Sequence, residues 1–381
     1  MRIALLGTRG IPARYGGFET FAEELSVRLA ERGHEVAVYC RGAGAERGEA
    51  FYRGVRRIVL PAPRHKYLET PVHALISFVD LWRRRFDIVL LCNAANSPFA
   101  WIARLRGLPV VINVDGVERK RRKWNALGRL WYRLGERCSV AFASSVVADA
   151  GVIARYYRRA RGAEAVVIRY GAAAEPRPAG ETLRRFGLEP GRYLLYVSRL
   201  EPENNALGVI TAYNRLGRVM PLAIVGDAPY AQDYIAALKR SAGDGVVFTG
   251  YQFGEAYKEL RSSCYAYIQA TEVGGTHPAL VEAMAYGNCT LANATPEHFE
   301  VLGGAGLYYR RNDFEHLAER LRFLLGHPDE VQAYGRLARA RAERLFRWDT
   351  ICDQYEALFQ ELLGRSCPVP ASASGARTAR G

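Results

Sequence analysis

The residues best suited to chemistry lie in Thr271-Glu-Val-Gly-Gly-Thr-His-Pro-Ala-Leu-Val-Glu-Ala-Met-Ala-Tyr-Gly-Asn288. Gly274 and Gly275 let the backbone approach a ligand with no side chain in the way. Pro278 suits a first helical position and Gly287 a helix stop, so the spacing predicts a helix over 278–286. The N–H groups and dipole at its start favour an anion. Glu282, one turn inside, can accept hydrogen bonds from hydroxyl groups. A diphosphate at the helix end and a ribose on the carboxylate would together describe a sugar nucleotide. A strand–helix corner whose glycines serve tight packing fits this stretch alone equally well.

The loop needs a strand before it, and the aromatic and apolar residues 265–270 read as one. The same alternation recurs from the N-terminus. Residues 2–6 read as a buried strand, 7–17 as a glycine-bearing loop, 18–32 as a helix and 35–39 as the next strand, which is a βαβ opening. The glycines do not fall as GxGxxG, and Cys40-Arg41 stands where an acidic ribose ligand would be needed, which argues against a nicotinamide site. Strands are expected at 87–92 and 109–114. The second runs into Asp115-Gly116, and ligands in open α/β sheets sit at the carboxyl ends of strands. Asp115 is thus placed for chemistry, or else for a turn before Gly116. Residues 166–171 read as the last strand of this series. A second series follows, with strands at 193–198, 221–225 and 246–248 and a helix at 205–216. The expectation is an α/β protein of two facing Rossmann-like domains with a cleft between them. The first domain spans 1–172, a linker 173–190, and the second domain 191–348. A helix at 349–363 crosses back to the first domain, and a small, polar tail at 364–381 is expected to be disordered.

The chain of 381 residues is 49% apolar, enough for two cores, and no run reaches the length of a membrane span. Its opening residues are too short an apolar run for a signal peptide. Seven scattered cysteines with no CxxC pair point to reduced thiols in a cytosol and to no structural zinc. Residues 1–170 hold 30 Lys and Arg against 15 Asp and Glu, while residues 171–381 hold 23 against 24. The whole excess of the net charge of +14 is therefore in the first half, which calls for an anionic partner. A nucleic acid would meet that need. However, residues 118–123 form the one long basic run, and no nucleic-acid motif accompanies it.

Val197-Ser-Arg-Leu-Glu-Pro-Glu-Asn-Asn205 resembles the diphosphate-binding turn of the retaining GT-B glycosyltransferases of family 4. Gly7-Thr-Arg-Gly-Ile-Pro-Ala-Arg-Tyr-Gly-Gly-Phe-Glu-Thr20, Asn113-Val-Asp-Gly116, Val225-Gly-Asp-Ala-Pro-Tyr230 and Gly274-Gly-Thr-His-Pro278 are similar to the branch that includes bacterial dTDP-rhamnose-dependent rhamnosyltransferases. The resemblance covers about residues 2–360. It implies that Arg199 binds the donor phosphates, that Glu282 binds the ribose, and that Gly16 and Gly17 approach the donor, with Asn204, Glu272, Gly274, Gly275 and Thr276 also on the donor side. Asp115, Arg199 and Glu282 would carry the catalysis. Two positions depart from the family pattern. Asn204 replaces its usual lysine, and Gly274 falls where its first paired glutamate belongs, with Glu272 the nearest carboxylate. No Asp-x-Asp pair occurs, so neither metal nor cofactor is expected and a helix end and an arginine would stabilise the leaving diphosphate. His277 is expected to cap or pack rather than act as a base.

The implied reaction is retaining transfer of a sugar, rhamnose first, from a nucleotide diphosphate to a saccharide acceptor in cell-surface polysaccharide synthesis. UDP- or GDP-hexose transfer, sugar-nucleotide epimerisation and nucleic-acid binding are the alternatives. Oligomeric state is open. The stretch 119–138 bears on the acceptor. Trp124, Leu127, Leu130, Trp131, Leu134 and Cys138 recur at helical spacing, with Arg121, Lys123, Arg129, Arg133 and Arg137 flanking or opposing them. Tyr15, Arg119, Lys120, Arg121, Arg122, Lys123, Trp124 and Trp131 are therefore assigned to an acceptor or membrane side. The expected setting is the cytoplasm, peripheral on the inner face of an anionic membrane, beside a lipid-diphosphate-linked acceptor. Packing of this apolar face onto the first domain is the competing expectation.

Overall fold

In the computed structural model the described residues are 1–13, 16–42, 48–63, 65, 67–121, 124–217, 219–228 and 231–364, with backbone only at 48, 49 and 120. Tyr15, Arg122, Lys123, Pro229, Tyr230 and nearly all of the expected tail fall outside them.

The first half builds an eight-stranded sheet from β1 (Arg2–Leu6), β2 (Glu35–Gly42), β3 (Gly48–Tyr52), β4 (Val55–Pro61), β5 (Ile88–Cys92), β6 (Val110–Val114), β7 (Ser145–Ala148) and β8 (Val166–Val167). Their order is β3-β4-β2-β1-β5-β6-β7-β8, parallel throughout except for β3 against β4. The second half builds six parallel strands, β9 (Leu194–Val197), β10 (Leu222–Val225), β11 (Val246–Gly250), β12 (Ala266–Gln269), β13 (Cys289–Asn293) and β14 (Leu307–Tyr309). They are ordered β11-β10-β9-β12-β13-β14. Both sheets are doubly wound. Their order reverses beside β1 and beside β9, and the crevice at the carboxyl ends of such strands is where ligands bind. Apolar side chains fill both faces of each sheet, as helix-covered parallel sheets require.

The structure shows the GT-B plan of two facing Rossmann-like domains. The final helix, Trp348–Leu362, packs on the first domain, with Ile351, Tyr355 and Phe359 in the core beside Ile3, Leu5 and Phe21. The Tyr355 hydroxyl accepts a 2.7 Å hydrogen bond from Asn113 at the end of β6. Part of the expected linker belongs to the second domain instead. Helix Glu181–Arg185 puts Leu183 into that core, and Glu259 accepts hydrogen bonds from the backbone N–H groups of Gly180, Thr182 and Leu183.

The expected helix over 119–138 starts later. A short 3-10 turn covers Glu118–Lys120, and the helix runs from Ala126 to Phe142 with the Asn125 side chain capping Gly128 N–H. The cap decides the start, because the asparagine oxygen satisfies a donor that has no partner inside the helix.

Candidate active site

A cleft of about 740 Å³ opens between the two domains, lined from both sides. Strand β12 leads through Thr271 and Gly274 into helix Pro278–Ala285, which begins with proline as the sequence predicts. Two glycines are required here by close approach. A Cβ on Gly17 would stand 2.7 Å from Pro278 Cγ, and one on Gly275 would stand 2.2 Å from Asp149 Oδ1. The first-domain glycine thus admits the start of the second-domain helix, and the second-domain glycine admits a first-domain carboxylate. Gly16 caps helix Gly17–Glu31 and also lines the cleft.

Glu282 lines the cleft and is held from behind. Its Oε2 accepts a 2.5 Å hydrogen bond from the Tyr257 hydroxyl and lies 3.4 Å from Arg261 Nη2. Arg261 is completely buried, its guanidinium 4.9 Å from the Tyr257 ring centre and 4.7 Å from that of Tyr267. Burial raises the Glu282 carboxyl above the usual range, while Arg261 and the tyrosine hydroxyl pull it back. Its orientation and charge are therefore set by this buried aromatic–arginine group.

Arg199 follows β9 and lines the cleft, its Nη1 3.7 Å from Glu201. Asn204 holds up this loop: its amide donates to the Arg199 carbonyl at 2.6 Å, and its own carbonyl accepts from Tyr196 at 2.6 Å. Asp115, beyond β6, reaches the cleft with Oδ1 accepting the Gly116 N–H at 2.7 Å. Burial raises its carboxyl, Glu118 adds to that, and the charges of Arg121 and Arg199 oppose it. His277 also borders the cleft. Burial holds its pKa well below the usual value, and the His298 ring 5.0 Å away adds to the effect. It occupies the N-cap position of helix Pro278–Ala285, with no capping hydrogen bond from its side chain.

Two sequence assignments change. Glu272 is absent from the cleft wall; its Oε2 accepts from Asn312 Nδ2 at 2.7 Å. The Asn312 amide holds it away from the cleft wall, so it is not placed to stand in for the glutamate missing at Gly274. Arg121 was expected beside the apolar helix face. Instead it is 6% exposed, lines the cleft, bonds Glu118 at 2.5 Å and lies 3.8 Å from Glu203. The turn at Glu118–Lys120 redirects it inward. Arg119 goes the other way, to Glu136 at 3.1 Å and the Tyr156 hydroxyl at 2.9 Å. Trp124 is half-buried beside Tyr132, and Trp131 donates to the Ala95 carbonyl at 3.0 Å.

Asp149 was not singled out from the sequence. It ends β7 as Asp115 ends β6, which was the available signal. Its Oδ2 accepts the Thr276 N–H at 2.6 Å and its carbonyl accepts the Thr276 hydroxyl at 2.7 Å, so one residue ties the domains together at the glycine loop. Burial and the nearby Asp115 raise its carboxyl well above the usual range. Glu300 makes a second tie by accepting the N–H groups of Gly151 and Val152 at the start of the first-domain helix Gly151–Arg161.

No group of three His, Cys, Asp or Glu side chains that could hold a metal ion occurs among the described residues. Of those residues, no helix is long and apolar enough to cross a membrane.

Residues 16–171 match the family model described as a glycosyl transferase 4-like domain, and residues 181–341 match glycosyl transferases group 1. No curated protein matches significantly in sequence. Among solved structures, sucrose-phosphate synthase from Thermosynechococcus elongatus is 20% identical with a TM-score of 0.82, covering 95% of this chain and 99% of that one. Anabaena HepE in complex with UDP-glucose is 17% identical with a TM-score of 0.76, covering 94% and 99%. The catalytic domain of starch synthase IV from Arabidopsis thaliana, bound to ADP and acarbose, is 13% identical with a TM-score of 0.72, covering 96% and 99%.

Proposed function

Given that the chain belongs to the group 1 glycosyltransferases, with a first half of the glycosyl transferase 4-like type, we propose that it transfers a sugar from a nucleoside-diphosphate donor with retention of configuration and without a metal ion. The observation that carries this reading is the convergence of Arg199, the start of helix Pro278–Ala285 and Glu282 on one cleft wall, with Asp115 facing them from the other domain. The diphosphate lies along Arg199 and the helix start. There the guanidinium meets charge that grows as the glycosidic bond to phosphate breaks. Glu282, oriented by Tyr257, takes the ribose hydroxyls. Asp115 accepts a hydrogen bond from the transferred sugar or the incoming hydroxyl, and that hydroxyl attacks from the face the diphosphate leaves. The donor domain is the second and the acceptor domain the first.

Rhamnose on deoxythymidine diphosphate is the first donor to test, on the strength of the branch motifs at 7–20 and 274–278. UDP-glucose is the second, because HepE was solved with it. The acceptor is a lipid-linked saccharide, met at the inner face of an anionic membrane in cell-surface polysaccharide synthesis. The basic first half and the exposure of Leu127, Leu130 and Leu134 on helix Ala126–Phe142 support this. The test is a donor screen that reads nucleotide release, with and without lipid-diphosphate saccharide acceptors. Conversion of the donor into an isomeric sugar nucleotide with no acceptor present and no nucleotide released would replace transfer by epimerisation.

A further inference from the structure

A second cavity of about 1120 Å³ lies in the first domain, between helix Glu69–Leu81 and helix Ala126–Phe142. That is at or beyond the upper end of the roughly 300–1,000 Å³ of small-molecule sites. Leu68 and Leu75 form one wall, 51% and 41% exposed, and Leu127, Leu130 and Leu134 the other, 69%, 60% and 44% exposed. Phe99 and Trp131 lie between them, ring centres 6.2 Å apart. Leucines at these exposures on two facing helices form an apolar surface that an isolated molecule gains nothing by showing to water.

The groove does not end blind. Thr70, Trp124 and Tyr132 line both it and the reaction cleft. At this junction Arg9 and Arg41 share one carboxylate, Glu69, at 3.0 and 3.2 Å, and Arg41 Nη2 donates to the Thr70 hydroxyl at 3.3 Å. Glu19 faces the same pair, its Oε1 accepting the Arg9 N–H at 2.9 Å, so charged groups of both signs gather where the apolar walls meet the polar cleft. An apolar trough edged by the exposed Arg133 and Arg137, opening through a charged mouth onto a group-transfer site, matches an amphiphile, with its hydrocarbon chain in the trough, an anionic head held by arginines and its reactive hydroxyl in the cleft. A protein segment or a second copy of this chain would cover the mouth instead of delivering a hydroxyl through it.

We infer that the groove binds the hydrocarbon chain of a single phosphate- or diphosphate-bearing lipid, which is the acceptor. The inference rests on the proposed transfer reaction and goes beyond membrane docking: one chain enters the groove and sets the acceptor's register in the cleft. Trp124 and Trp131 border the path and report on it.

The test uses the full chain and linear alkyl phosphates of about six to twelve carbons, each brominated at the chain end and kept below its micelle concentration. Bromine quenches tryptophan fluorescence only near contact. The expected result is saturable quenching whose affinity rises roughly two- to four-fold per added methylene, as burial of each CH₂ implies. The exposed groove leucines can be changed without opening a core, so the variant L127Q/L130Q/L134Q folds and weakens the longest probe at least about tenfold. The equally exposed Leu105 and Leu337 lie away from the groove, and L105Q/L337Q retains wild-type binding. The inference is overturned by affinity that ignores chain length, or by a triple variant that binds like wild type. It is also overturned by quenching that appears only with micelles or vesicles, or by a wild-type dimer that the triple variant abolishes. Calorimetry with UDP and deoxythymidine diphosphate runs alongside. Chain-length-dependent quenching without nucleotide binding supports the groove and counts against the transfer reading alone.

Discussion

The assignment of Glu282 is tested most sharply through its buried partner. Arg261→Met keeps an unbranched side chain between Tyr257 and Tyr267 but removes the cation 3.4 Å from Glu282. At that distance and an effective dielectric of about 20, the gross attraction is about 5 kcal/mol. Breaking one side of a buried pair costs about 3–5 kcal/mol, because the other charge is left uncompensated. The Glu282 side chain is 18% exposed and water recovers part of the loss, so the lower end, about 3 kcal/mol, is expected. That lowers the unfolding midpoint by about 6–12 °C for a domain of this size. The loss carries a pH signature. Burial already holds Glu282 above its unfolded value, and losing Arg261 raises it further. A carboxyl raised in the folded state contributes stability that is complete below its unfolded pKa and is lost as pH rises through the folded one. The variant's deficit is therefore largest near neutrality. It shrinks as the pH falls toward the usual carboxylate range, where Glu282 is protonated and the wild-type arginine has lost its counter-charge. Thermal unfolding of both proteins between about pH 4.5 and 8, with nucleotide affinity measured by calorimetry at each pH, reads this directly. A deficit independent of pH, or nucleotide affinity equal to wild type at neutrality, would refute the reasoning.

Arg199→Ala removes a contact to charge that grows in the transition state, so kcat falls strongly. Glu282→Ala removes contacts present throughout and mainly raises the donor KM; steady-state kinetics separates the two. Asp115→Asn lowers kcat about 10²-fold or more if the carboxylate handles a proton, and near-normal turnover would reduce it to a turn residue. Asp149 carries a carboxyl raised well above the usual range, so Asp149→Asn keeps near-normal stability and turnover. Asp149→Leu strands the Thr276 N–H at a cost of about 1–3 kcal/mol; equal damage from both in unfolding experiments would mean that the charged form is needed. Turnover is expected to persist in EDTA, and loss restored by magnesium or manganese would establish a metal requirement.

Much of the second domain's cleft wall was legible because its signals are local. A strand, a glycine pair, a proline at the first helical turn and a glutamate one turn later lie within 18 consecutive residues, and each acts on its neighbours through backbone geometry. The doubly wound plan was legible for the same reason: apolar runs and helical spacing alternate along both halves. Strands with mixed composition were not. β13 carries Thr290 and Asn293, both completely buried, so its polar residues masked a central strand. The β3–β4 hairpin turns through Arg53 and Gly54, both at positive φ, and arginine is a poor signal for such a turn.

The amino-acid sequence by itself determined the fold class, the polarity of charge between the halves and the identity of Arg199, Glu282 and Asp115 as candidates, since these follow from periodicity, composition and short motifs. Tertiary structure alone decided which charges meet. Arg121 leaves the apolar helix for the cleft, Glu272 faces Asn312, Asp149 closes on Thr276, and Arg261 stands behind Glu282. Two of these pairings cross between domains, and Asp149 and Thr276 lie 127 residues apart in the chain. Desolvation and direct contact set their energies, and both depend on distances that arise only when the two sheets face each other.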